Sequence, residues 1–352
     1  MILHVGTPKS GTTFLQRAMW HHHAALKEQG FRCVGNRQKD AFLAAIDVRG
    51  SHEFWGYSEA HISGRWSAVC RQAREYDGTT IISHEVLAGA NRQQIRTALE
   101  PLAGIDIHIV VTARDLGRQA VAHWQEEVKL GATYSFAEFE ETQLRADTGP
   151  GPGPDDGGIR PHFWYAQDFA DCLDRWAGRM GEGRAHLVPL PRPDVPPEEL
   201  WVRFASAAGI VPSIIDTDHH APANPSLGVA EIALLRAVNA ELGDRLDRRT
   251  YLQLVKRDYA EATLARRPGP RPRTPYDLGE LFEEKTARWL SQVESQDVVI
   301  HGDPGDLAPV LAGEDDPRPD DVEVVEDPVA IAAGLVPEPE HRNRRWRGPF
   351  HK

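Results

Sequence analysis

Gly6-Thr7-Pro8-Lys9-Ser10-Gly11-Thr12-Thr13 holds the residue types in this chain best suited to a chemical task. Glycines flanking a run with hydroxyls and one lysine make a loop that cradles an anion. Its backbone N–H groups and the next helix N-terminus then point at the charge. Gly6 and Gly11 have the spacing of a GxxxxGK[ST] nucleotide loop, yet Thr12 stands where that loop needs its lysine. The lysine sits instead at Lys9, two residues before the second glycine. A tight turn capped by hydroxyls explains Gly, Ser and Thr, but leaves the Pro8-Lys9 pair without a reason.

Two further places carry candidate chemistry. Arg114 directly follows the apolar run Ile105–Ala113, and a buried strand that feeds an arginine into a strand–helix turn suits bidentate phosphate recognition. The plain alternative for Arg114 is a salt bridge to a neighbouring acid. Gln125 and Lys129 share a face of the following helix, either reaching the same site or forming a solvated i,i+4 pair. Ser83-His84-Glu85 leaves the end of the run Thr79–Ser83, where open α/β sheets place ligands. His84 and Glu85 are both able to take a proton, with Glu85 slightly preferred, and both are also common as helix caps.

Pro8-Lys9-Ser10-Gly11-Thr12-Thr13 resembles the 5′-phosphosulfate loop of sulfotransferases that use 3′-phosphoadenosine 5′-phosphosulfate (PAPS). That resemblance implies a sulfotransferase fold, PAPS as co-substrate, no metal, and a small-molecule, sugar or lipid acceptor bearing a hydroxyl or amine. Lys9 would contact the bridging and sulfuryl oxygens, Ser10, Gly11, Thr12 and Thr13 the 5′-phosphate. Phe14 takes the place of an adenine-stacking tryptophan, and Arg114 would hold the ribose 3′-phosphate. The family's serine eight residues after that arginine is Ala122 here, so Arg118, Gln119, His123 or the backbone would replace it. The family's late glycine-rich, lysine-containing 3′-phosphate segment is also absent. The wording TARDLGRQ…HWQEEVK is similar to a bacterial, actinomycete-type branch, and the likeness covers the first 130 residues. A sulfuryl group carries less charge than a terminal phosphoryl group, so one cation on the leaving oxygen meets most of the demand. Two other readings stand beside it: a P-loop kinase or NTPase with an aberrant loop and Asp115 as magnesium ligand, and a non-catalytic phosphonucleotide-binding protein.

The elements needed to hold these residues are legible as short apolar runs alternating with amphipathic stretches, the pattern of an α/β fold with a parallel sheet between helices. Strands are expected at Ile2–Val5, Thr79–Ser83, Ile105–Ala113 and His186–Leu190. Helices are expected at Thr13–Gln29, Ser58–Tyr76, Asn91–Leu102, Leu116–Leu130, Phe163–Met180 and Leu227–Leu242. Asp147–Gly158, rich in Gly and Pro, reads as a loop or lid. One catalytic domain, residues 1–312, is followed by a flexible tail, 313–352. Gly313–Asp327 alone holds eight acids against one arginine.

The remaining features bound the function. At 352 residues and 41% hydrophobic content the chain fits a soluble globular protein, and its net charge of −12 argues against a nucleic-acid partner. Three cysteines without CxxC spacing, no leader-like start and no long apolar stretch point to the cytoplasm, with no membrane span. His21-His22-His23 cannot converge on one ion from a helix, and His219-His220 lacks partners at metal spacing. Phe163-Trp164-Tyr165 would either line an acceptor pocket or pack on the sheet, and Asn224-Pro225-Ser226 reads as a helix cap.

Overall fold

The computed structural model describes residues 1–35, 37–146, 162–214, 226–320 and 322–337. Six parallel strands form its centre: β1 (Ile2–His4), β2 (Phe31–Cys33), β3 (Thr79–Ser83), β4 (His108–Ala113), β5 (Ala185–Pro189) and β6 (Val299–Ile300). They lie in the order β2-β3-β1-β4-β5-β6, with Leu3 opposite Ile82 on one side and Ile109 on the other. The expected α/β parallel sheet is present. Alternate side chains leave opposite faces, as the pleat requires. Leu3, Ile82, Ile109, Val111 and Leu187 enter one core, and Ile2, Ile81, Val110 and Val188 the other. β2 and β6 are missing from the sequence expectation because two or three edge residues are too short a run to show a strand pattern.

The helices that position the site are α1 (Thr12–His21), α2 (Gln38–Arg49), α3 (Arg65–Glu75), α4 (Arg92–Leu99), α5 (Leu116–Lys129), α6 (His162–Gln167), α7 (Phe169–Ala177), α8 (Glu198–Ala208), α9 (Val229–Leu242), α10 (Gly279–Glu294) and α11 (Pro328–Leu335). Several expected helices are shorter than their hydrophobic period: 13–29 breaks at His22, 91–102 stops at Leu99, and two more break inside. The stretch 163–180 breaks at Asp168, whose carboxylate accepts the Asp171 N–H at 2.9 Å and starts α7 afresh. The stretch 58–76 breaks at Gly64, which takes φ +81° ahead of α3.

The tail differs from expectation over its described part. Asp320 accepts the N–H groups of Phe136 and Ala137 at 2.9 and 2.8 Å, and Arg318 pairs with Glu140 and with Asp277 at 3.1 Å. α11 then packs on α9 with Ala332 fully buried. Acids that read as solvated charge are spent on capping and pairing other elements, which composition cannot reveal. Asp147–Gly158, Asn224-Pro225, His219-His220 and residues 338–352 lie outside the described residues. Among the described residues no helix is long and apolar enough to cross a membrane. Cys33, Cys70 and Cys172 are free thiols whose pKa burial pushes up.

Candidate functional site

The reversal in strand order beside β1 opens a crevice at the carboxyl ends of β1, β3 and β4, the usual ligand position in such sheets. The loop of residues 5–11 leaves β1 there and runs beside β4, with Val5 N–H on Val110 O at 2.8 Å and Thr7 N–H on Thr112 O at 2.9 Å. A Cβ on Gly6 would lie 2.1 Å from Thr112 Oγ1, so the approach is open to glycine alone. Beneath the loop runs a set of matched donors. Ser83 Oγ donates to His4 Nδ1 at 2.8 Å and His4 Nε2 to Thr112 Oγ1 at 3.1 Å. Thr112 Oγ1 donates to Ser10 Oγ at 2.6 Å, and Ser10 Oγ to the Thr7 carbonyl at 2.6 Å. This direction requires a neutral His4, and burial does push its pKa down to about 4. Ser10 is therefore corrected as a side-chain ligand: its hydroxyl faces the sheet and is fully buried.

Above this support the loop turns outward. Lys9 holds φ +67° and Gly11 φ +85°, and no side chain caps the N-terminus of α1. A lysine in the left-handed region costs roughly 1–2 kcal/mol, a strain kept where geometry serves a site. Lys9 Nζ donates to Glu126 Oε2 at 2.5 Å, and Lys256 donates to the other oxygen. Burial would raise the Glu126 carboxyl, but Lys9, Lys256 and Lys129 outweigh it and hold it well below the usual range. Lys129, on the same helix, is pushed down to about 8 by burial and by Lys9.

Pro8, Lys9, Gly11, Thr12, Thr13, Phe14, His84, Glu85, Arg114, Arg118 and His123 all line one cavity of about 1190 Å³. Gln125 and Lys129 line it as well, which decides against the solvated face. That volume exceeds what one drug-sized ligand fills, leaving room for two. Its wall carries eight Lys or Arg (Lys9, Arg49, Arg114, Arg118, Lys129, Lys256, Arg271, Arg273) against four Glu (Glu85, Glu126, Glu127, Glu261). A chain of net charge −12 thus concentrates positive charge in its one large crevice among the described residues.

Arg114 has a buried Nε without a hydrogen-bond partner, and burial with Arg118 beside it lowers its pKa to about 10. Among the described residues no acid forms a salt bridge with Arg114, which is what the plain alternative requires. The proposed companions fare differently. Arg118 is spent on Asp115 and on the Pro191 carbonyl at 3.1 Å, Gln119 donates to the Pro8 carbonyl, and His123 faces Glu127. The stretch Arg271-Pro272-Arg273-Thr274 crosses the start of α5 instead, with Thr274 Oγ1 on the Gly117 carbonyl at 2.5 Å. Sequence reasoning missed Arg271 and Arg273, although the alternating Arg and Pro of 266–273 were visible as a basic extended segment. Asp115 caps α5, accepts the N–H groups of Arg118 and Val310, and is 1% exposed.

The other end of the cavity is aromatic. Phe42 meets Trp55 edge-on at 5.3 Å and His84 at 5.2 Å, and Phe54 completes the wall. Arg49 NH1 and Ser51 Oγ are buried there without partners. Glu85 accepts from Gln16 at 3.2 Å and from Thr12, and its Oε2 lies 3.7 Å from His84 Nδ1. Burial would raise its carboxyl, but His84 and these bonds hold it below its ordinary value. His84 Nδ1 also accepts the Val86 N–H at 3.2 Å. Phe163, Trp164 and Tyr165 pack in the core, the bland reading of that group, while His162 and Ala166 of the same helix reach the cavity. Ser226 bonds Gln125 at 3.0 Å instead of capping α9, whose cap is Gly228. No protein-family model, no curated protein and no solved structure matches the chain.

Proposed function

We propose that the chain is a PAPS-dependent sulfotransferase, transferring a sulfuryl group to the hydroxyl or amine of a small-molecule, sugar or lipid acceptor. The observation that carries this reading is the pairing of Lys9, on a strained loop after β1, with Arg114 after neighbouring β4, whose buried Nε has no partner, in a cavity with room for donor and acceptor. PAPS presents two separated anions, the phosphosulfate and the ribose 3′-phosphate, and two separated cationic anchors suit it. In this reading Thr12, Thr13 and the start of α1 hold the 5′-phosphate, and Phe14 lies beside the base. Arg114 holds the 3′-phosphate, and Arg271 and Arg273, which here bond the Ser226 and Leu311 carbonyls, turn to it in place of the hydroxyl missing at Ala122.

Lys9 exchanges Glu126 for the bridging oxygen of the phosphosulfate, and stabilises the charge that grows there as the S–O bond breaks. Glu126 stays paired with Lys256. The acceptor's proton passes to His84 or Glu85, which stand 3.7 Å apart at the end of β3. Glu85 is already held by Thr12 and Gln16, and His84 Nδ1 already accepts the Val86 N–H, so the geometry leaves both as candidates. Against the kinase alternative stands Asp115, whose carboxylate caps α5 and pairs with Arg118.

Calorimetry with adenosine 3′,5′-bisphosphate and ATP tests the donor half: the bisphosphate should bind more tightly, and preferred ATP would return the reading to a nucleotide kinase. Turnover of PAPS with a library of hydroxyl acceptors tests the rest. Tight bisphosphate binding without any turnover would favour a non-catalytic binding protein. Turnover of His84→Ala and Glu85→Gln separates the two candidates: the larger loss names the base, and two normal variants would remove this strand end from the mechanism.

A further inference from the structure

We propose that His123, Glu127 and His162 form a binding site for a divalent first-row transition ion on the wall of the cavity. His123 and Glu127 stand four residues apart on α5 and share one face. His162 arrives from the start of α6, and its ring is about two-thirds exposed, 67%. Glu127 Oε1 lies 3.6 Å from His123 Nε2 and 3.7 Å from His162 Nδ1, and the three ligand atoms all fall within 4.8 Å of one another. An ion bound at about 2.0–2.2 Å needs ligand atoms roughly 3–3.6 Å apart. The carboxylate therefore already stands near the required distance from both rings, and the rings need only a small closure.

A second observation points to a ligand. His123 is 5% exposed, and its Nε2, aimed at this cluster, is buried without a hydrogen-bond partner. Glu127 Oε1, at 3.6 Å, lies just beyond hydrogen-bond length, and a buried polar atom satisfied so poorly is costly unless something binds it. The groups behind the cluster are arranged as supports for metal ligands are. Tyr134 donates its hydroxyl to the other oxygen of Glu127 and leaves Oε1 available. The Gln167 amide meets His123 Nδ1 at 3.3 Å, and with its oxygen turned inward it accepts Nδ1–H, freeing the Nε2 lone pair. Two imidazoles and one carboxylate suit Zn²⁺, Co²⁺ or Fe²⁺ better than Mg²⁺. Three protein ligands leave positions open towards the cavity, where an acceptor oxygen can be taken and its proton made more acidic.

This site stands independently of sulfuryl transfer, and its test separates the two. Chelator-treated protein is titrated with Co²⁺, following the visible absorption of low-coordinate cobalt, and then with Zn²⁺ in competition. One tight equivalent is expected. His162→Ala and Glu127→Gln should each weaken it by about 100-fold, while His21→Ala leaves it unchanged. His162 is largely exposed, so that variant should keep the melting curve of the metal-free protein. No tight equivalent, or one that survives both cavity variants, overturns the site. PAPS turnover is assayed in parallel: turnover without metal binding sinks the metal site alone, and metal binding without turnover sinks the transferase reading alone.

Discussion

The two ends of the cavity are built in different ways. At the loop end, Lys9, Thr12 and Thr13 come from one continuous turn, and Arg114 from the end of the neighbouring strand. Every one of these positions is set by local backbone geometry and by strand register. At the aromatic end, Phe42, Trp55 and His84 come from three separate segments and meet only as side chains. The loop end also rests on a chain of hydrogen bonds from Ser83 through His4, Thr112 and Ser10 to Thr7, with Arg114 Nε left unpartnered beside it for an anion, whereas the aromatic end rests on ring contacts and keeps unpartnered Arg49 and Ser51 atoms. Anion recognition by a strand–turn–helix junction is a property of a few adjacent residues. Recognition of an acceptor is a property of a surface.

The largest expected effect breaks the loop end. Lys9→Ala should cut sulfuryl transfer by about 10²–10³ without changing the fold, as deleting one transition-state donor does elsewhere. Near wild-type turnover from radiolabelled PAPS would remove Lys9 from the mechanism.

Next comes the support beneath it. The His4 pKa is about 4 in the folded chain against an ordinary 6.5, so the unfolded chain binds the extra proton. Stability is then complete above pH 6.5 and falls as pH drops towards 4, by about 3 kcal/mol in all. His186, also pushed down to about 4 by burial and by His301 and His108, adds in the same direction. Melting temperatures measured against pH should show this slope, and His4→Asn should flatten it. An equal slope in the variant would mean that His4 is not held neutral.

Arg114→Ala sharpens the split within the loop end. Binding of adenosine 3′,5′-bisphosphate should weaken by about 1.5–3 kcal/mol, and that of the 5′-monophosphate far less. Equal losses in titration calorimetry would place Arg114 away from the 3′-phosphate, and a selective loss in Arg271→Ala would add that residue to the anchor.

The smallest effect lies outside the cavity and calibrates the others. Asp320→Ala removes the acceptor for two N–H groups at the start of the short helix Phe136–Phe139. It should cost about 1 kcal/mol in denaturant unfolding and leave nucleotide binding alone. A change in nucleotide affinity would couple this capped helix to the site.

The sequence by itself determined the parallel sheet, the anion loop and the arginine after β4. Apolar runs of period two, paired glycines and a strand–helix junction each act over a handful of neighbours. It also placed His84 and Glu85 at a strand end without deciding between them. The tertiary structure decided what distance in the chain conceals. Ser10 turned to the sheet because Thr112 and Thr7 take its hydroxyl, and Asp115 became a cap. Arg271 and Arg273 entered the cavity because Thr274 is tied to the start of α5. Asp320 of the tail became the partner of Phe136, Ala137 and Arg236. Thr7 and the Arg118 N–H that Asp115 caps are near in the chain, but Thr112, Val310, Gly117 and Phe136 are brought from far along it. A side chain's role then depends on which desolvated group it meets, and only the folded chain specifies that.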